Sequence, residues 1–375
     1  MEKEALIAVA DFKKRLDAGR IEFIFDLRNG DEFEAWRIEG KTPVETLNIP
    51  QLDFVGEEEK YLDRLPKDKE IIAICAHGAA SNYEAKRLRE KGFNILSLDG
   101  GMDAWSEFYE THQLTGSPEI HQIVRVAKGC ICHVLISNGE AVVIDAVRHQ
   151  APITAVLEQR RARLVAVVDT HLQADHISGG PQLAAQFQVP YYISPIDAEQ
   201  ASYPYTPLAD GTEITFGGKK LVCLHTPGHT PGSVSFLCDN RFLFSGDTIM
   251  KSSIGRPDLG GMVKSWAHLL YRTIFDRYAE VADEILLLPT HAASALREEN
   301  ENGIISLTMG DFRHSQAYAL KQEKAFIDFI EKSLLENPER YQEIRKVNLG
   351  LLAPDEERRR ELEIGKNLCG MQQKG

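Results

Sequence analysis

The segment THLQADHISGG (170–180) places His171, Asp175 and His176, three side chains able to bind a metal, within six residues, with Gln173 between the histidines. It closes an apolar run, RLVAVVDTH (163–171), and hydrophobicity that continuous fits a strand buried on both faces. Three more apolar runs end in the same way. KKLVCLHTPGH (219–229) stops at His229, RFLFSGD (241–247) at Asp247 and EILLLPTH (284–291) at His291. Strands inside layered sheets can bring their ends to one edge, where side chains distant in sequence meet. The Gly and Pro residues of TPGHTPG suit a tight turn that presents His229 with little freedom. A single histidine after a strand is usually a turn or cap residue, which is the reading for His149, His225 and His268. Four strand ends carrying His, His, Asp and His, with Asp175–His176 beside the first, are hard to obtain by chance and predict a metal centre.

At 375 residues the chain exceeds one ordinary domain, and two or more cores are expected. Its 43% apolar and 26% charged residues are those of a soluble globular protein. A formal net charge of −13 argues against nucleic acid as the main partner, because phosphate binding needs a basic face. MEKEALIAVADFKKRLDAG at the N-terminus reads as a short amphipathic helix rather than a secretory signal. No run of about 18 apolar residues predicts a membrane span. The cysteines (Cys75, Cys130, Cys132, Cys223, Cys238 and Cys369) include no C-x-x-C pair, so free thiols in a reducing cytoplasm are expected.

A different pattern fills the first part of the chain. EFIFDLR (22–28) and EIIAICAHG (70–78) are short apolar runs that end in polar loops, as buried parallel strands do. SNYEAKRLREKGF (81–93) reads as a helix with Ala85, Leu88 and Phe93 near one face and Gly92 at its stop. NILSLDGGMDAW (94–105) reads as a strand, a glycine turn and a helix start, and THQLTGSPEIH (111–121) has a linker's composition. IVRVAKGCICHVLISNGEAVVIDAV (123–147) then opens a second segment as β-structure with an Asn138–Gly139 turn. From about 313 the tail is charged and helical in pattern. The expected organisation is a small α/β domain over 1–113, a linker at 114–119, a second domain over 120–345 and a C-terminal helical extension over 346–375.

As a set, THLQADH, HTPGHTPGSVSF, FSGDTI and LPTH resemble the metallo-β-lactamase superfamily near glyoxalase II and the persulfide dioxygenases, over about 119–345. The resemblance implies an αββα sandwich with metal at one edge of the paired sheets. Two-metal members carry H-x-H-x-D-H in the first motif. Carried onto this chain, one metal takes His171, Gln173, His229 and Asp247, and the other takes Asp175, His176, His291 and Asp247. Glutamine replaces the second histidine here, and a neutral amide oxygen is a weaker donor to a borderline metal than imidazole. His171, His229 and Asp247 remain, the two-histidine, one-carboxylate set expected for a mononuclear non-haem Fe(II) that activates O2, with zinc an alternative ion. Persulfide dioxygenases are similar in using the equivalents of these three. On that resemblance Asp175, His176 and His291 join the catalytic machinery by orienting ligands or bound water. In SSIGRPDLGG (252–261), Arg256 either anchors a substrate carboxylate or locks the loop through Asp258; the plainer reading is a surface ion pair.

CAHGAAS (75–81) follows a strand and precedes a helix, so backbone N–H groups and a helix N-terminus can surround the Cys75 sulfur and favour its anion. Segment 5–112 resembles a rhodanese domain, with FDLRNGDEF, LNIP, CAHGAAS and GFNILSLDGGMDAW in the places of its motifs. The resemblance implies that Cys75 carries sulfane sulfur and that His77, Gly78 and Ser81 meet the substrate. Ala80 stands where an arginine is common, and GKTPVET replaces the expected GHIPGA. His77 is the loop's one potential cation, so dianionic thiosulfate should bind less well than a neutral or singly charged donor.

Together the resemblances imply a persulfide (sulfur) dioxygenase that oxidises a low-molecular-weight thiol persulfide with O2 to sulfite, coupled to sulfane-sulfur transfer at Cys75. A glyoxalase II-like zinc thioester hydrolase and a non-catalytic sulfur carrier are the alternatives. Neither nucleic acid nor membrane is an expected partner, and the charged C-terminal helices leave room for a homo-oligomer.

Overall fold

The computed structural model describes residues 5–116, 118–258, 262–334, 340–367 and 369–370. Ser117 of the expected linker, the end of the SSIGRPDLGG stretch and parts of the C-terminal extension lie outside the described residues. Two compact units result. One comprises the residues up to Phe108 together with Arg125–Lys128, the other Tyr109–Val124 and the residues from Gly129 onward.

The first unit is built on a parallel sheet with the spatial order Leu6–Ile7, Ile95–Leu98, Ile71–Ile74, Phe23–Asp26, Glu45–Asn48. Phe23–Asp26 and Ile71–Ile74 are buried at every position, which is why their sequences show no alternation. Phe54, Ala85 and Leu88 from helices pack on one face with Phe25, Ile71 and Ala73, while Ile24 and Ile72 are buried on the other. The helix Ala79–Glu90 starts directly after the CAHG loop, and Gly92 (φ +89°) follows its end.

The second unit stacks two sheets. A seven-stranded sheet runs Thr206–Pro207, Tyr191–Ile193, Arg163–Val168, Glu140–Ile144, Cys130–Ser137, Glu119–Arg125, Tyr109–Leu114. A six-stranded sheet runs Glu213–Phe216, Lys219–His225, Val234–Cys238, Phe242–Gly246, Leu286–Pro289, Leu307–Thr308. Leu135, Val142, Ile144 and Val168 from the first meet Phe216, Leu221, Phe236 and Phe244 from the second. The alternating residues Val134, Ile136, Ala141 and Val143 face outward onto Ile153, Leu157 and Leu183 of the helices Ala151–Arg160 and Gly180–Phe187. On the far side, Leu243 and Leu287 meet Leu270, Phe326 and Ile330 of Val263–Arg272 and Glu323–Ser333. This is the αββα layering, and both faces of the central strands are apolar because both are covered. The Cys130–Ser137 and Glu140–Ile144 hairpin closes on Asn138 (φ 44°) and Gly139 (φ 76°), the two positive dihedrals a tight hairpin turn demands.

Sheet direction explains how the ligand runs converge. Lys219–His225 and Phe242–Gly246 each run antiparallel to Val234–Cys238, and Leu286–Pro289 runs parallel to Phe242–Gly246. Their C-terminal ends therefore point the same way, and His229, Asp247 and His291 follow at one edge. Arg163–Val168 brings His171 from the other sheet.

Three expectations need adjustment. Lys219–His225 is not buried on both faces: Leu221 and Cys223 are buried and their neighbours are not, because this strand lies one place from the sheet's edge. Residues 109–113, expected in the first domain, form the edge strand of the seven-stranded sheet, whose hydrogen bonds outweigh the local linker-like composition. The boundary expected at 345 falls inside the helix Arg340–Asn348. Among the described residues no helix is long and apolar enough to cross a membrane, and all six cysteines are free.

Candidate functional site

His171, His229 and Asp247 come together as a fully buried group whose donor atoms lie within 4.8 Å of one another. His229 Nε2 is 3.4 Å and His171 Nε2 3.8 Å from Asp247 Oδ2. Neither Nε2 has a hydrogen-bond partner. A buried polar atom left unpaired costs about 1–3 kcal/mol, so two of them facing one carboxylate oxygen are the mark of a cation site. The chain's own partners fix which nitrogen is free. His229 Nδ1 lies 3.0 Å from the carbonyl of Arg256, which can only accept, so Nδ1 carries the proton and Nε2 the lone pair. His171 Nδ1 lies 2.9 Å from Thr170 Oγ1, whose own proton goes to Asp145. Burial lowers both imidazoles, His171 to about 3, so both are neutral and ready to coordinate. For Asp247 burial alone acts upward, but His291, which donates to it, holds its carboxyl well below the usual carboxylate range.

Beside this set lies a second one. Asp175, His176 and His291 converge with Cys130, all buried and within 4.8 Å of one another. His291 Nδ1 donates to Asp247 at 2.8 and 2.9 Å, and its Nε2 is 3.3 Å from His176 Nδ1 and 3.4 Å from Asp175 Oδ1. His176 Nδ1 is 2.9 Å from the same Asp175 oxygen. Burial disfavours the charged imidazoles, but Cys130 and Asp175 raise His176 to about 10, and Asp175 and Asp247 raise His291 well above the ordinary value. Burial pushes the Cys130 thiol up, but His176 and His291 together bring it down to about 7.

Several residues here had no signal in the sequence. Cys130 reaches the site because its backbone bridges His291. Asp145 accepts from Thr170 N (2.7 Å), from the Thr170 and Thr290 hydroxyls and from Gln173 Nε2 (3.4 Å), so one carboxylate steadies the residues beside His171 and His291. Asp197 joins two ligand loops, accepting from Leu172 N (3.0 Å), Thr230 Oγ1 (2.7 Å) and Gly232 N (3.0 Å). Only the run GEAVVID (139–145), a strand ending in an acid, resembles the other ligand-bearing runs closely enough to have pointed to Asp145.

Arg256 is 2% exposed and Asp258 is buried, so the surface ion-pair reading is overturned. Its Nε and Nη2 donate to the two Asp258 oxygens at 2.7 and 2.6 Å, the loop-locking geometry, while its carbonyl orients His229. Removing one partner of a buried pair leaves an uncompensated charge, costing about 3–5 kcal/mol.

In the first unit, Cys75 Sγ accepts from Gly78 N (3.1 Å), Ser81 N (3.3 Å) and Ser81 Oγ (3.2 Å). Ser97 Oγ donates to Ser81 Oγ (2.8 Å) and holds that hydroxyl in place. Met102 N and Asp103 N bind the carbonyls of Cys75 and Ala76 from behind. Gly101 permits this approach: a Cβ there would stand 2.3 Å from the Cys75 carbonyl oxygen. The side chain of His77 is 78% exposed and meets Asp103 at 2.7 Å. A cavity of about 290 Å³ opens onto Cys75, lined also by Leu27, Arg28, Glu32, Leu52 and Ala80. Arg28 is a cation that inspection of the loop alone missed, but its Nε and Nη2 are bound to Asp26 at 3.1 and 2.7 Å. With that charge matched, dianionic thiosulfate is expected to be at least about tenfold poorer in kcat/KM for sulfur transfer than a singly charged donor such as cysteine persulfide, the worth of one hydrogen bond to a charged group. Steady-state transfer to cyanide measures this, and equal values would refute it.

Residues 127–291 match the model of the metallo-β-lactamase superfamily, and residues 8–108 match the rhodanese-like domain. A bovine protein named persulfide dioxygenase ETHE1, mitochondrial, is 31% identical over 186 residues, covering 48% of this chain and 71% of that one. The chain belongs to the metallo-β-lactamase superfamily. An uncharacterized protein of Mycobacterium tuberculosis is 29% identical over 197 residues, covering 44% of this chain and 87% of the relative. A metallo-β-lactamase crystal structure from Staphylococcus aureus superposes with a TM-score of 0.55 at 26% identity, covering 64% of this chain and 72% of that one.

Within the superfamily pattern Gln173 is the departure. It is buried, its Nε2 is turned to Asp145 and its Oε1 has no partner. Gln173→His is expected to tighten zinc binding by at least about tenfold, since even the outer partners of a metal site move affinity by 10–100-fold. Chelator competition reads this directly, and unchanged affinity would show that position 173 does not face the ion.

Proposed function

We propose that this chain is a persulfide dioxygenase carrying a sulfane-sulfur transferase domain on the same polypeptide. The observation that carries the reading is the convergence of His171 Nε2, His229 Nε2 and Asp247 Oδ2, with the amide N–H of Gln173 committed to Asp145. Relatives named for that activity support it. These three residues fit a mononuclear Fe(II), which when bound supplies a redox-active centre with open positions for O2 and sulfur. His229 is oriented by the Arg256 carbonyl and His171 by Thr170, so neither has to turn to meet the ion. Asp175, His176 and His291 form a hydrogen-bonded chain beside these three residues, and His291 holds a proton at Nδ1 against Asp247. The reaction balances: a thiol persulfide, O2 and water give the free thiol, sulfite and two protons. At Cys75 the thiolate takes the outer sulfur of a persulfide and releases the donor thiol. Cys75 then hands that sulfur to a carrier thiol, or to sulfite to form thiosulfate. Gly78 N, Ser81 N and the Ser81 hydroxyl steady the sulfur anion through these exchanges.

One observation favours a second reading, a zinc thioester hydrolase: the neighbouring Cys130, Asp175, His176 and His291 form a complete donor set. Anaerobic purification with elemental analysis, followed by oxygen uptake on low-molecular-weight persulfides, separates the two. One iron per chain and one O2 per persulfide are expected. Two zinc ions, thioester cleavage and no oxygen uptake would establish the hydrolase instead.

A further inference from the structure

The loop from 171 to 178 carries three of the site's side chains yet contains no regular secondary structure. Its backbone polar groups must therefore find partners elsewhere. The C-terminal extension provides them. Asn348, at the end of Arg340–Asn348 and 5% exposed, donates from Nδ2 to the carbonyls of Gln173 (2.9 Å) and His176 (2.8 Å). Its Oδ1 accepts from Ser178 N at 3.0 Å. Both amide protons and the amide oxygen are thus engaged with one loop. Glu363, 1% exposed, accepts from Ile177 N (2.8 Å) through one oxygen and from Arg148 Nε (2.8 Å) through the other. Tyr341, Ile344 and Leu362 pack on Ala174 and Ile177 beneath these bonds. Beside the second histidine ligand, Arg256 N donates to the Cys369 carbonyl (3.0 Å), and the carbonyl of Arg256 is the partner of His229 Nδ1.

We infer that Asn348 and Glu363 are positioning residues of the metal centre. They fix the peptide units on either side of Asp175 and His176, and so set where the loop's imidazoles and carboxylate stand. Packing alone would place the loop only approximately, because Ala174 and Ile177 make non-directional contacts. Three hydrogen bonds from one amide fix the orientation of three separate peptide units. The inference rests on the reading that the centre holds a metal, and not on which reaction that metal serves.

The test uses the full chain loaded with Co(II). Asn348→Ala removes all three bonds. Asn348→Asp keeps the side-chain volume and the acceptor for Ser178 N but turns an oxygen toward two carbonyls. Affinity by chelator competition and the visible d–d spectrum are read, with thermal unfolding and Cys75 sulfur transfer alongside. Both variants are expected to bind cobalt about 10–100-fold more weakly and with shifted d–d bands, while sulfur transfer holds. Wild-type affinity, or an unchanged spectrum in the folded and loaded fraction, overturns the inference whatever the melting temperature does. Failure of the wild-type chain to bind cobalt would instead overturn the metal-centre reading itself.

Discussion

His171→Ala is expected to abolish oxygen uptake on persulfides and to weaken iron binding by more than about 100-fold, while sulfur transfer at Cys75 stays within twofold. The change removes one of three donors from a site with no spare imidazole at position 173, so the ion keeps only His229 and Asp247. Loss of an outer hydrogen-bonding partner already costs about 10–100-fold, and loss of a ligand costs more. The fold tolerates the change, because the loop's backbone is held by Asp145, Asp197 and Asn348 rather than by the imidazole. Elemental analysis and an oxygen electrode check it, with circular dichroism confirming the fold. Iron retention with full oxygen uptake would place the ion among Cys130, Asp175, His176 and His291 and defeat the three-ligand centre.

The complementary result is expected from Cys75→Ser. Sulfur transfer should fall by at least about three orders of magnitude, the scale on which removal of a nucleophile acts. A serine hydroxyl accepts the same backbone N–H bonds but cannot form a persulfide. Oxygen uptake on a ready-made persulfide should be unchanged, whereas uptake dependent on sulfur delivered through Cys75 should disappear. A parallel fall in both activities in a folded protein would mean that the two units do not act as separable modules.

Much of the candidate metal centre was legible because the side chains that converge there follow the ends of strands. An apolar run that stops at a histidine or aspartate can be seen in one dimension, and RLVAVVDTH, KKLVCLHTPGH, RFLFSGD and EILLLPTH all show it. The CAHGAAS loop was legible for the same reason, lying between a strand and a helix. Residues that act by holding others were not. Asp197 lies in SPIDAEQ and Asn348 in KVNLG, stretches whose composition marks only a loop and a surface helix. Arg28 and Cys130 belong to elements read correctly as strands and their margins, but nothing local says what they face. The burial of Arg256 was equally hidden, since Arg and Asp two residues apart usually sit in solvent.

The αββα layering was implied by the resemblance of the motifs to a known superfamily; the sequence by itself determined the apolar runs of both units, the candidate donors at their ends and the absence of an imidazole at 173. These follow from hydrophobic period and residue chemistry, which are local. Only the tertiary structure decided which nitrogen of each histidine is free, that Gln173 turns its N–H to Asp145, and that the C-terminal extension holds the ligand loop. Each of these depends on directional hydrogen bonds between residues remote in the chain, such as Asn348 to Gln173, and no local pattern records which distant partner a buried polar group will find.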